Sequence, residues 1–190
     1  MHQDVMNALT EASCDGGFHI VAIDGGSASG KTSLAAEIAE SFECNVFHMD
    51  DFFLRPEQRT EERYAEAGGN VDRERFEEEV LVPLTEGRDV AYRKFSCKTF
   101  SLGEPENISF RKLNIVEGVY STHPTLAAYY DIKIYLDISD REQRKRLAAR
   151  NGKDGAAVFF ERWIPLERTA FEWYKPCEHA DIVVRTGEEK

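Results

Sequence analysis

Nowhere in these 190 residues does an apolar run approach the length of a membrane span, and the four cysteines, Cys14, Cys44, Cys97 and Cys177, include no C-x-x-C pair. The first absence argues against a transmembrane helix, which needs about 20 consecutive apolar residues. The second gives no reason to expect a disulfide framework or a zinc site, so the thiols read as reduced and the chain as cytoplasmic. The opening stretch MHQDVMNALTEASC lacks the basic-then-apolar order of a secretory signal. Positive charge is also scarce: 24 Lys and Arg stand against 35 Asp and Glu, a formal net charge of −11. Such a surface disfavours nucleic acid and anionic membrane as main partners. There is no internal repeat and no low-complexity tract. The length suits one well-buried domain over 1–190.

What the chain does have is DGGSASGKTSLAAEIAESF, residues 24–42. Gly25, four further residues, Gly30, Lys31 and Thr32 satisfy G-x-x-x-x-G-K-[ST], the phosphate-binding loop. Backbone N–H groups along Gly25, Gly26, Ser27, Ala28, Ser29, Gly30, Lys31, Thr32 and Ser33 are expected to cradle the phosphates of ATP. Lys31 should reach the β- and γ-phosphates, and the Thr32 hydroxyl should sit on Mg²⁺. A dinucleotide fingerprint fails, because Ser27 stands where its second glycine belongs. The flanks agree with this reading. FHIVAID (18–24) is the β-branched run of a strand buried on both faces. After the loop, Leu34, Ile38 and Phe42 recur every four residues beside Ala35 and Ala39, as in an amphipathic helix.

The rest of the chain alternates in the same manner. Residues 1–17 read as a helical extension ending at Gly16-Gly17, and NVFHM (45–49) as a second strand. Asp72 is an N-cap candidate for a helix with Phe76, Val80, Leu81 and Leu84 as its apolar stripe, which Pro83 should end or kink. DVAYRKFSCKTFSLG suggests a hairpin, LNIVEG (113–118) and DIKIYLDI (131–138) buried strands, and DIVV (181–184) a last one. Strands separated by helices imply an α/β fold: a three-layer P-loop NTPase fold with a mostly parallel sheet. In such sheets ligands bind beyond the carboxyl ends of the strands.

Acids stand at those ends: Asp50 and Asp51 after the second strand, Glu117 after the third. Phosphoryl transfer needs charge stabilisation, an ordered Mg²⁺ and a group that orients or deprotonates the attacking hydroxyl. Carboxylates there can serve as base or hold the metal, and spacing alone does not choose between the two aspartates. Arg141, Arg144, Lys145, Arg146 and Arg150 form the one strong positive cluster, with Arg146 and Arg150 on a shared helix face. Trp163, Phe171 and Trp173 fall in a helical pattern that fits core packing, and no ligand role is assigned to them. His48 and His123 are single histidines without metal-ligand spacing and read as structural.

Taken together, GGSASGKTS, HMDDFF, NVDRERFEEEVLVPL, AYRKF, IVEGVYSTHP and YLDISDREQRKRLAARNG resemble the uridine kinase branch of the P-loop kinases, with nicotinamide riboside kinase and phosphoribulokinase nearby. The resemblance implies a nucleoside-kinase type of fold and transfer of the ATP γ-phosphate to a hydroxyl of a small, nucleoside-like acceptor. By its pattern Asp50 is the base and lies near the metal, Glu117 is metal-associated, Phe53 and Tyr92 line the acceptor, and Arg146 and Arg150 belong to a lid. That divides the chain into an acceptor region at about 50–110 and a lid at about 140–155. Cys97 stands where uridine kinases carry a histidine that reads the pyrimidine, so a different acceptor, nicotinamide riboside or another non-pyrimidine metabolite, is the alternative. A nucleotide-triggered regulatory ATPase is the other. The sequence leaves a homo-oligomer open.

Overall fold

The computed structural model describes residues 2–187. Five parallel strands form the central sheet in the order β2-β7-β1-β8-β9: Cys44–His48, Leu113–Glu117, His19–Gly25, Ile132–Ile138 and Ile182–Thr186. Period-2 alternation sends neighbouring β1 residues to opposite faces. Ile20 and Ala22 join one buried cluster with Phe47, Val116 and Tyr120, whereas Val21 and Ile23 join another with Leu34, Ile38, Ile115 and Ile134. The second cluster is closed by α1 (Gln3–Cys14), through Val5 and Leu9, and by α2 (Lys31–Ser41). The helical start, the parallel sheet and its strands therefore follow the sequence-based expectation.

Between β2 and β7 the chain folds a smaller region from α3 (Glu61–Ala65), α4 (Arg73–Phe76), α5 (Val82–Thr85) and two antiparallel ribbons. The ribbons pair β3 (Val90–Tyr92) with β6 (Glu106–Ile108), and β4 (Phe95–Ser96) with β5 (Ser101–Leu102). Asp72 caps α4 by accepting the Arg75 N–H at 3.3 Å, as its sequence position suggests. Of the two outcomes expected at Pro83, an end or a kink, the helix does not end there: a π-turn over Glu77–Leu81 joins α4 to α5, which continues to Thr85. A proline lacks the N–H that would bond the preceding turn, and a wider turn upstream accommodates that loss.

After β8, α6 (Asp140–Val158) passes through a π-turn, Phe159–Trp163, into α7 (Ile164–Tyr174). Inside α6, Gly152 leaves the helical region with φ 68° and ψ 179°. A short α8 (Pro176–His179) leads to β9. The registers put Ile23 and His48 both opposite Glu117. The acids and the phosphate loop consequently share one edge of the sheet.

Candidate active site

At that edge lies a cleft of about 680 Å³. Its walls include Ser27, Ala28, Gly30, Lys31, Thr32 and Ser33 of the loop, Asp50 and Glu117 of the strand ends, and Phe53, Asn70, Val71, Cys97, Arg146 and Arg150.

The loop owes its shape to residues able to hold unusual dihedrals. Gly25, Ala28 and Gly30 have φ of 144°, 61° and 110°. Gly25 is also required sterically, because a Cβ there would stand 2.5 Å from the Leu136 carbonyl oxygen on β8. Such alternation turns successive N–H groups inward as an anion-binding nest. Gly30 precedes α2 with no side-chain cap, so the helix offers its N-terminal N–H groups and the positive end of its dipole to the cleft. Lys31 is 7% exposed, and its ammonium donates to the carbonyls of Gly25 and Gly26 at 2.9 and 3.0 Å.

Two oxygens suited to a hard cation meet beside it. The Thr32 hydroxyl donates to Glu117 Oε1 at 3.1 Å, and His48 Nδ1 lies 2.6 Å from the same oxygen. That bond raises the His48 imidazole above its ordinary value, against the opposing effect of burial. Thus His48, read from sequence as merely structural, touches the site. Among the described residues no group of three or more His, Cys, Asp and Glu is placed to hold a metal. Magnesium fits this sparse set, since it is usually bound by one or two protein oxygens with water and phosphate completing the shell.

The adjacent aspartates diverge. Asp50 opens into the cleft while hemmed in by protein, and that desolvation raises its carboxyl, with the Lys31 charge pulling it back. Asp51 is not part of the wall: the Tyr92 hydroxyl donates to its Oδ2 at 2.9 Å. Tyr92 itself is 2% exposed, packed edge-on against Phe47, and its oxygen accepts the His48 N–H at 3.0 Å. It supports the strand end from the core and stands off the cleft surface. Phe53 and Cys97 do reach the wall.

Of the basic cluster, Arg146 donates to the carbonyls of Ala28 and Ser29 at 3.3 and 3.2 Å and to Glu142 at 2.9 Å. Arg150 lines the cleft with its guanidinium 5.4 Å from the Phe159 ring centre. Arg144 lies over Phe160.

Several residues of the site escaped the sequence reading. Trp163 lines the cleft, its ring 6.4 Å from that of Phe53, and Trp173 is 62% exposed, so core packing accounts for Phe171 alone of the three. Glu167 is buried against Ser27. A signal existed: it occupies the buried stripe Ile164, Glu167, Ala170, Tyr174 of α7, where a charged residue needs an explanation. Asp24, wholly buried at the end of β1, accepts from the N–H groups of Gly25, Tyr120 and Thr122 and from the hydroxyls of Thr122 and Tyr174. It ties the loop's entry to two other segments.

A glycine loop feeding an uncapped helix, a buried lysine, and acids on the adjoining strand ends define a P-loop kinase. The family model for phosphoribulokinase and uridine kinase matches residues 20–185, and the chain belongs to that family. Uridine-cytidine kinase B of Dictyostelium discoideum is 28% identical over 187 residues, covering 88% of this chain and 74% of that protein. The bifunctional alpha-galactosidase/sucrose kinase AgaSK of Mediterraneibacter gnavus is 30% identical over 185 residues, 84% of this chain but only 20% of the larger protein. Among solved structures, a possible uridine kinase from Bacillus stearothermophilus superposes with a TM-score of 0.68 at 22% identity, with 88% of each chain covered. A candidate fructose transport system kinase from Silicibacter sp. TM1040 gives 0.67 at 22% identity, covering 93% of this chain and 97% of that one. These two likenesses concern the fold.

Proposed function

We propose that this protein transfers the γ-phosphate of ATP, with Mg²⁺, to a hydroxyl of a small nucleoside-like acceptor. The observation that carries this is Asp50: a carboxylate open to the same cleft as the phosphate loop, while its neighbour Asp51 is turned to Tyr92. In the reaction the acceptor oxygen bonds to the γ-phosphorus, the bond to the bridging oxygen of ADP breaks, and the hydroxyl proton passes to Asp50. Lys31, Arg146 and Arg150 stabilise the charge on the transferring group. Thr32 and Glu117 would hold Mg²⁺, with Asp50 close by, and the cation neutralises phosphate charge when bound.

The acceptor end suits a ring with an apolar face, since Phe53, Val71 and Trp163 form much of its wall. A second reading has Cys97 as its support: with a thiol where uridine kinases place a histidine, the acceptor is a non-pyrimidine such as nicotinamide riboside or a sugar. The sucrose kinase among the relatives makes sugars worth including. ADP release measured across uridine, cytidine, nicotinamide riboside, sucrose and fructose tests both. Acceptor-dependent release is expected, with uridine not the best substrate. Uridine and cytidine leading in kcat/KM would rule out the non-pyrimidine reading, and ATP turnover indifferent to every acceptor would favour a regulatory ATPase.

A further inference from the structure

We infer that Glu167 and Gln143 form a brace that fixes the peptide planes of the phosphate-binding loop, making both of them positioning residues for nucleotide binding. The inference rests on the reading of that loop as a nucleotide site, and it adds two residues from outside the loop's motif.

The contacts converge on one residue. Ser27 gives its N–H to Glu167 Oε2 at 3.0 Å and its hydroxyl to Glu167 Oε1, and its carbonyl accepts from Gln143 Nε2 at 3.1 Å. Every polar group of Ser27 is thus held by side chains 116 and 140 residues further along the chain. Gln143 Nε2 also lies 3.3 Å from Glu167 Oε2, so the two supports steady each other. Both are buried, at 6% and 4% exposure. Gly26 leaves the room they need, since a Cβ there would stand 2.8 Å from Gln143 Nε2 and 3.5 Å from Glu167 Oε2.

The neighbouring carbonyls are held as well. Lys31 takes those of Gly25 and Gly26, and Arg146 those of Ala28 and Ser29. With Gln143 on Ser27, the carbonyls of residues 25 to 29 all face a donor. A peptide is planar, so the Gln143 bond to the Ser27 carbonyl, on the side away from the cleft wall, also fixes the direction of the Ala28 N–H, while Glu167 fixes that of Ser27. That is what a nest for phosphate needs. Lys31 and Arg146 are cations that a triphosphate would attract away from these carbonyls. Gln143 is neutral and is not drawn to the nucleotide's charge, and Glu167 is held in place by the N–H and hydroxyl of Ser27 and by Gln143. A carboxylate buried on an apolar helix face is costly, and burial raises the Glu167 carboxyl accordingly. An alanine would serve α7 packing as well, so the carboxylate is accounted for by Ser27.

The test is the affinity for Mg·ATP, by equilibrium titration, of the wild type and of Glu167→Ala, Glu167→Gln, Gln143→Ala and Arg168→Ala, each also melted. A hydrogen bond to a charged group is commonly worth about 10- to 100-fold in an equilibrium. Glu167→Ala should weaken binding by about that factor and Gln143→Ala by about 3- to 10-fold. In Glu167→Gln the amide oxygen can still accept the Ser27 N–H and the NH₂ can donate to its hydroxyl oxygen, so affinity should return to within about threefold of wild type. Arg168→Ala is the control: it removes a contact between the same two helices, 2.5 Å to Asp140, without touching Ser27, and should leave affinity unchanged. Glu167→Ala binding as tightly as wild type, or Arg168→Ala weakening it equally, would overturn the brace. If Glu167→Ala does not fold, Gln143→Ala decides, and wild-type affinity there overturns it. A wild type that itself binds no Mg·ATP would bring down the nucleotide reading and the brace with it.

Discussion

The two ends of the cleft are made in different ways. The nucleotide end is nearly contiguous: of the nine successive residues from Gly25 to Ser33, Ser27, Ala28, Gly30, Lys31, Thr32 and Ser33 line the cleft. The acceptor end is assembled from segments far apart, with Asp50 and Phe53 after β2, Asn70 and Val71 before α4, Cys97 beside β4 and Trp163 in the turn between α6 and α7. On the proposed function the first would recognise charge that every triphosphate carries, and the second a shape that belongs to one acceptor. Damage at the first should therefore abolish the reaction with any acceptor. Damage at the second should change which acceptor is used, or how well.

Lys31→Ala is the severest break. It removes the ammonium expected to follow the γ-phosphate into the transition state, and turnover should fall by about 10³-fold or more whatever the acceptor. Lys31 also bonds two loop carbonyls, so a melt belongs beside the assay. A folded variant with near-normal ADP production would show that the loop is not where phosphate binds.

Next come the paired aspartates. If Asp50 is the base, Asp50→Asn should lose about 10²–10⁴-fold in kcat while Mg·ATP affinity stays close to normal. Asp51→Asn should be milder, since its carboxylate serves Tyr92 rather than the cleft. Because desolvation by the surrounding protein raises Asp50, open to the cleft as it is, the acid limb of wild-type kcat should lie above the ordinary carboxylate range and vanish in Asp50→Asn. A larger loss in Asp51→Asn would mean that the base is the other residue.

The same contrast explains what could be read from sequence. The loop is local, so spacing alone identifies it, and the strands and helices around it are periodic enough to follow. Glu117 and Asp50 stand out in the sequence because strand ends point at the ligand edge, and both line the cleft, whereas Asp51 does not. The resemblance alone puts Tyr92 at the acceptor, and a resemblance carries no information on side-chain direction; the structure turns it into the core at 2% exposure. A helical period assigns Trp163 to the core because it does not register a π-turn, which shifts the face a side chain presents. Glu167, Gln143 and Asp24 act through partners distant in the chain, and no local pattern encodes such partners.

A smaller effect is expected from Trp163→Ala. If its ring supports the acceptor beside Phe53, the acceptor KM should rise by about 3- to 10-fold, the amount an aromatic contact is commonly worth, while the KM for ATP moves little. Equal rises in both would place Trp163 with the nucleotide end and erase the distinction.

The smallest effect lies outside the cleft and concerns only stability in acid. His123 is 3% exposed, stacks near Trp173, and its Nδ1 lies 2.9 Å from the Thr125 hydroxyl and accepts the Thr125 N–H at 3.3 Å. Burial, helped by the Arg73 charge, lowers its imidazole from 6.5 to about 4. The folded state therefore holds it neutral at a pH where the unfolded chain is protonated. Its contribution is whole above about pH 6.5 and is lost as the pH falls toward 4, at most on the order of 3 kcal/mol. Asp24, Asp50 and Glu167, whose carboxyls are raised, act in the opposite sense as they take up protons, so the wild-type curve alone is ambiguous. The difference between wild type and His123→Gln is not, because the three acids are common to both. Denaturant melts from pH 7 to 4 should show wild type losing stability faster than His123→Gln, with hydrogen exchange rising first over residues 60–76 and last in the phosphate loop. Parallel curves, or a loop that opens first, would mean that His123 does not set the acid stability of the acceptor end.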